Sequence, residues 1–127
     1  MIPRFLDQAQ KNEQITVFGD GSQTRSFTYV TDQIIGQLKL LLSDISNGEV
    51  VNIGNNNEIT VLDLANMIRD LVGSQSEITF QEMPKDDPVR RNPDIRKAMD
   101  LLGWEPMVDL RSGLEKMNIS MNFKTLY

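Results

Sequence analysis

The chain contains no cysteine and no histidine. Those two absences remove disulfides, thiolate nucleophiles, the commonest metal ligand and the usual general base of enzymes that work near neutral pH. The lack of cysteine fits a cytoplasmic protein. No apolar run approaches the roughly 20 residues that a membrane span needs. The opening "MIPRFLDQAQKNEQ" has no basic segment followed by a long apolar one, so it does not read as a signal peptide. Positive charge is also short: 13 Lys and Arg stand against 18 Asp and Glu, a net charge of −5. Nonspecific nucleic-acid binding depends on neutralising phosphates, so such a chain is a poor candidate for it. Any anion site must be a local basic island. Repeats, low-complexity tracts and long linkers are missing too. The 127 residues are enough for one domain with a core, and 1–127 read as a single unit.

What is present alternates between helix and strand patterns. "IPRFLDQAQKN" suits a short helix beginning near Pro3. "ITVF", Ile15 to Phe18, reads as a strand, and "GDGS" after it as a turn. Ile34, Ile35, Leu38, Leu41 and Leu42 follow helical spacing, with Thr31 or Asp32 as N-cap. "VVNI", Val50 to Ile53, reads as a second strand closed by the turn-rich "GNNN". Thr60 and Asp63 have capping-box spacing, and the helix they open carries Leu62, Ala65, Ile68, Leu71 and Val72 before Gly73. "EITF", Glu77 to Phe80, is a third strand. "PDIRKAMDLLG" is a helix with Asp94 as N-cap and Gly103 past its end, and a last helix begins near Asp109 or Leu110. Alternating strands and helices mean α/β, and the few short strands mean a small sheet with flanking helices.

Two loops carry chemistry. The first is "FGDGSQTRSFTYV". Gly19 and Gly21 let the backbone turn tightly. A dinucleotide fingerprint needs a third glycine three residues later, opening a helix; position 24 is Thr24 and the following residues read as extended. The pair is therefore read as a turn. Arg25 precedes a half-apolar segment and needs an anionic partner, either a carboxylate of this chain or the phosphate of a ligand. The second loop is "PKDDPVRRNPDI", where Pro88 and Pro93 stiffen the backbone around Arg90 and Arg91. Asp86 and Asp87 are surface partners for Arg90, in pairs that contribute little. Arg25, Arg91 and Asn52, at the end of the "VVNI" segment, are candidates to converge on a diphosphate, since α/β folds bind ligands at strand ends. Phe18, Phe27 and Trp104 read equally well as packing residues, Trp104 above all. Met67, Met99 and Met117 sit at helical core spacing.

"ITVFGDGSQTRSFTYVTD", "VNIGN", "DDPVRRNPDI" and "LLGWEP", in this order and spacing, resemble the C-terminal part of extended short-chain dehydrogenases that act on nucleotide sugars. The likeness runs from about Ile2 to Leu114. Within that group it is nearest the UDP-glucuronic acid decarboxylases, lyases that make UDP-xylose; dTDP-glucose 4,6-dehydratases and UDP-sugar 4-epimerases are near relatives. The resemblance implies the C-terminal substrate domain of such an enzyme without its Rossmann half. Enzymes of this kind bind NAD through that half and use Y-x-x-x-K for hydride chemistry. Neither motif is here: Tyr29 has Gln33 four residues on, and Tyr127 ends the sequence. No cofactor is therefore expected on this chain alone, and no catalytic residue beyond Arg91 as an assisting group. Carried over by position, Arg25 contacts the phosphates of the sugar nucleotide. Phe18, where the family usually has tyrosine, lies against the base, and Thr16 lies near base or ribose. Asn52 matches the asparagine of "N-[IL]-G", and Arg91 faces the diphosphate and the sugar. Pro3 and Phe5 fall where backbone surrounds the base pocket. The implied partners are a UDP- or dTDP-sugar and an N-terminal Rossmann half or a second copy, with no nucleic acid and no membrane. The other reading is a stand-alone nucleotide-sugar-binding or regulatory module that does no chemistry.

Overall fold

A computed structural model describes residues 1–83 and 90–124. Among the described residues the elements are α1 (Ile2–Gln10), β1 (Ile15–Phe18), β2 (Thr24–Ser26), α2 (Val30–Leu41), a 3-10 turn (Asp44–Ser46), β3 (Glu58–Thr60), α3 (Val61–Val72), β4 (Ile78–Gln81), β5 (Arg90–Arg91), α4 (Arg96–Leu102) and α5 (Leu110–Lys124). The strands make two small sheets, one of β1 and β4 and one in the order β3-β2-β5. The α/β class with small sheets and flanking helices is as expected. The chain groups into two compact units that interleave along the sequence.

The first unit holds Met1–Arg25, Ile59–Arg90 and Leu114–Tyr127. Pro3 sits in the first turn of α1, where a missing N–H costs nothing. Phe5, Leu6 and Ala9 share one face of α1 and are buried, and that face packs on α3 and β1. Burial alternates along β1: Ile15 and Val17 are fully buried, while Thr16 and Phe18 are half-buried on the other side. β1 pairs with β4 in parallel, Ile15 opposite Ile78 and Phe18 opposite Gln81. β4 thus begins one residue later than "EITF" implies. Thr60 caps α3 as read, its hydroxyl oxygen accepting from the Asp63 N–H at 3.0 Å, while Asp63 Oδ2 takes the Thr60 hydroxyl proton at 2.6 Å, so the return arm of the box ends on the side chain of Thr60. α3 then buries Val61, Leu64, Ala65 and Ile68 and ends at Gly73 in the left-handed region.

The second unit holds Ser26–Glu58 and Arg91–Gly113. Its core is Ile95, Ala98, Leu102 and Trp104, with Leu40, Val51, Ile53 and Leu101 packed against it. Trp104 is the packing anchor that its context implies. Four expectations fail here, the last at Met99. Val50 to Ile53 form no strand, and Val50 is 84% exposed. β-branched composition makes a strand only where a neighbour completes the ladder. α2 starts at Val30 after Tyr29, and neither Thr31 nor Asp32 caps it. Asp32 is buried instead, and its Oδ2 accepts from the backbone N–H of Met107 at 3.0 Å and of Val108 at 2.9 Å. Asp94 also sits one residue outside its expected place: the position before α4 is Ile95, although Asp94 Oδ1 still accepts from the Arg96 N–H at 3.0 Å. Asp109 does cap α5, accepting from the Ser112 N–H at 3.0 Å. Of the three methionines given to the core, Met67 and Met117 are half-buried and Met99 is exposed.

Candidate functional site

Each unit contributes a share of the residues singled out by the sequence. In the first unit, Gly19 (φ 65°) and Gly21 (φ 77°) form the turn after β1, and a strand, not a helix, follows. Asp20 closes the turn by accepting from the Ser22 hydroxyl at 2.6 Å and the Ser22 N–H at 2.9 Å. Those bonds hold the Asp20 carboxyl below its ordinary pKa. Without a helix N-terminus behind it, this loop does not present the stacked N–H groups that a dinucleotide pyrophosphate takes. The residues of this loop therefore do not fit NAD. Among the described residues no group of three metal-ligating side chains forms either.

Arg25 lies on β2, just past that turn, and is 8% exposed. Its Nη1 donates to the Thr24 carbonyl at 2.7 Å. Gln23, also buried, donates to the Phe18 carbonyl at 2.7 Å and so ties the end of β1 to the start of β2. Thr16 is gripped by Gln8: the Gln8 amide donates to Thr16 Oγ1 at 3.1 Å, and the Thr16 N–H donates to Gln8 Oε1 at 3.2 Å. Arg4, which sequence reasoning missed, completes the cluster. Its Nη2 donates to the Thr16 carbonyl at 2.9 Å, and its guanidinium carbon stands 4.8 Å from the centroid of the Phe18 ring and 5.6 Å from that of Phe5. A cation over a ring face at this range is attractive. Thr16 and Phe18 are thus brought together, with Arg4 on the Phe18 ring. The only sequence signal for Arg4 was its place between Pro3 and Phe5.

In the second unit, Asn52 is exposed and donates its side-chain N–H to the Asp94 carbonyl at 3.2 Å. Arg91 is exposed on β5, and its carbonyl accepts from the Ser26 hydroxyl at 3.4 Å. Next to it, Asn92 donates to Glu58 Oε2 at 2.9 Å. Arg96 forks over Asp94: its Nε lies 3.0 Å from Oδ1 and 3.1 Å from Oδ2, and its Nη2 also reaches Oδ2. This side-chain grip is the main reason the Asp94 carboxyl is lowered from 3.8 to about 2. A depression with Asn52 and Asp94 in its wall also includes Glu49, Lys97 and Asp100. Pro88, Asp86, Asp87 and the side chain of Arg90 lie outside the described residues, so the pairing given to Arg90 does too.

Residues 1–117 match the family described as GDP-mannose 4,6 dehydratase. The chain is 50% identical over 116 residues to UDP-glucuronic acid decarboxylase 1 of Danio rerio, covering 91% of this chain and 27% of that protein. Among solved structures it superposes on UDP-glucuronic acid 4-epimerase from Bacillus cereus, in complex with UDP-glucuronic acid and NAD, with a TM-score of 0.90 at 35% identity. That match covers 99% of this chain and 40% of the epimerase. UDP-glucose 4-epimerase from Thermotoga maritima, with UDP-glucose, gives a TM-score of 0.88 at 30% identity, over 99% of this chain and 40% of that one. The chain therefore spans roughly a quarter to two fifths of the length of these relatives.

Proposed function

The chain belongs to the GDP-mannose 4,6-dehydratase family of extended short-chain dehydrogenases, and from that membership we propose that it is the nucleotide-sugar-binding portion of an NAD-dependent UDP-glucuronate decarboxylase or a related dehydratase or epimerase. The observation that carries this reading is the 50% identity to a UDP-glucuronic acid decarboxylase over 91% of the chain. Arg25 and Arg91 then grip the diphosphate, with Asn52 beside them. Phe18 offers ring surface to the base, steadied from one side by Arg4, and Thr16 is oriented by Gln8. Bound NAD takes up and returns a hydride in such enzymes, and Y-x-x-x-K, which serves it, is not in this sequence. The portion is accordingly proposed to hold no NAD and to turn nothing over by itself, with Arg91 as an assisting group in the complete enzyme. Its partners are the UDP-sugar and either an N-terminal Rossmann half or a second copy, in the cytoplasm. The alternative reading is a stand-alone nucleotide-sugar-binding or regulatory module without catalysis.

The test is a chimera: the Danio rerio enzyme with its matched segment replaced by this chain. Arg25→Ala and Arg91→Ala should each weaken UDP-glucuronate binding by roughly 1.5–3 kcal/mol, the value of one charge-assisted contact. Arg91→Lys should not restore it, because a point charge cannot reproduce a planar fork, and Arg90→Ala should change little. Unchanged affinity in both alanine variants, by calorimetry, would refute the diphosphate grip. Turnover of UDP-glucuronate by the 127-residue chain with NAD present would refute its inactivity.

A further inference from the structure

The chain has ten asparagines, and only Asn47 is followed by glycine. That order matters because asparagine is open to attack by its own backbone. The amide nitrogen of the next residue reaches the side-chain Cγ, and a Cβ on that next residue stands in the way. Glycine has none.

Asn47 closes the 3-10 turn Asp44–Ser46, and both Asn47 and Gly48 are exposed. Gly48 sits at φ 76°, with no atom within 4 Å of where a Cβ would stand. Among the described residues nothing bonds to the Asn47 carboxamide or to the Gly48 N–H. The attacking nitrogen and the carbon it attacks are therefore both free to meet. Attack needs a rotation about the Asn47 Cα–C bond from its ψ of 122°. The Asn47 N–H bond to the Asp44 carbonyl is long, at 3.5 Å, and lies on the other side of Cα, so it does not resist that rotation. Most other asparagines are held or blocked. Asn12 Oδ1 accepts from the Ser74 hydroxyl and the Gln75 N–H. Asn55 is buried and accepts from the Asn57 N–H, which also occupies the nitrogen that Asn56 would need. Asn66 and Asn118 sit in helices with their side chains bonded. Asn92 precedes Pro93, which has no N–H.

We propose that Asn47 is a site of spontaneous modification, converting to a mixture of aspartyl and isoaspartyl residues with water as the co-reactant. Hydroxide takes the Gly48 amide proton. The nitrogen attacks Asn47 Cγ; a C–N bond forms, the Cγ–Nδ2 bond breaks, and ammonia leaves with a proton from water. Water then opens the five-membered succinimide at either carbonyl. Opening at Cγ gives aspartate. Opening at the main-chain carbonyl gives isoaspartate, in which the backbone runs through the side chain. Either product adds one negative charge to a chain of net −5, two residues before Glu49, which already pairs with Lys97. The isoaspartyl form also lengthens the main chain just ahead of Val51, which packs against the Trp104 core.

The experiment holds the 127-residue chain in mildly alkaline buffer, folded and in guanidinium chloride, and follows digests by mass spectrometry. In the folded chain the peptide containing Asn47 should exchange NH2 for OH, split into two isomers, and react at least about tenfold faster than any other asparagine. An isoaspartyl carboxyl methyltransferase should label one isomer and not the other. The rate should rise with pH, and both Asn47→Gln and Gly48→Ala should suppress it. A folded rate within about tenfold of the unfolded one supports an open site. A slower folded rate than that shows that the turn shields Asn47 and overturns the proposal, as does another asparagine reacting first. An unchanged rate in Gly48→Ala, with no isoaspartate formed, would mean direct hydrolysis of the side chain and would overturn the backbone route.

Discussion

Trp104 donates its indole N–H to the carbonyl oxygen of Asp32 at 3.0 Å, and the carboxylate of the same Asp32 holds the backbone at Met107 and Val108. One residue thus supplies acceptors to two separate stretches of the second unit. Asp32→Ala removes the side-chain acceptor and leaves two N–H groups without it. The cost should be about 1–3 kcal/mol, the desolvation penalty of buried donors left unmade. Asp32→Asn keeps one oxygen and should cost less. Urea unfolding followed by Trp104 fluorescence measures both, and equal stability of Asp32→Ala and the wild type would show that the carboxylate is dispensable.

Gly36→Ala sets two effects against each other. Replacing glycine inside a helix with alanine gains about 1 kcal/mol of helix propensity. The added methyl meets Ile53 Cγ2 at 2.5 Å and the Trp104 ring at 3.0 Å, and overpacking of a core costs typically 1–3 kcal/mol. Trp104 is pinned by its hydrogen bond and Ile53 is β-branched, so neither moves aside easily. The variant should be destabilised, by roughly 1–2 kcal/mol net. A more stable variant would mean that the α2–Trp104 contact is looser than the structure has it.

Acid should loosen the start of α4. The Asp94 carboxyl, held by Arg96, is lowered from 3.8 to about 2 in the folded chain. Its contribution to stability is therefore present above the unfolded value and is lost as the pH falls through the folded one. Asp109, held down by its bonds to Ser112 at the start of α5, shifts in the same direction. Carboxyl carbon shifts between about pH 5 and pH 1 should place the Asp94 midpoint well below that of an exposed aspartate. Arg96→Ala should bring it back up. A midpoint near 3.8 in the wild type would show that the fork does not persist in solution.

The sequence showed most where a rule is local. β1 falls on Ile15–Phe18 because four residues of β-branched and aromatic type lie between turn formers. Thr60 caps the Asp63 N–H because the two are three residues apart. Gly73 and Gly103 end their helices in the left-handed region that glycine tolerates. What escaped depends on distant neighbours. Asp32 looks like a helix cap until Met107 and Val108, far along the chain, claim its carboxylate. Val50 to Ile53 have the composition of a strand, but composition does not supply a ladder. The spacing of Ile34, Ile35, Leu38, Leu41 and Leu42 identifies one face of α2 correctly and says nothing of what covers it. For the candidate site, the sequence supplied Thr16, Phe18, Arg25, Asn52 and Arg91, and it passed over Arg4 and Gln8. Their bonds to Thr16 join a helix to a strand, a relation that no short motif encodes.

The parallel register of β1 and β4, Ile15 opposite Ile78, also governs how the chain can be made. Parallel neighbours need a crossover, and here α2 and everything up to β3 lie between the two strands, in the other unit. As the chain leaves a ribosome, β1 emerges before β4 and waits without its sheet partner until Ile78 follows. The first unit needs Leu114 as well, which is buried with the rest of its core. Folding should therefore be a late event with long-range loop closure as its main barrier, slower than the helix content suggests. Ribosome-stalled chains ending before β4 should show no protected β1 amides, and a protein shortened from the C-terminus past Leu114 should lose the first unit as a whole.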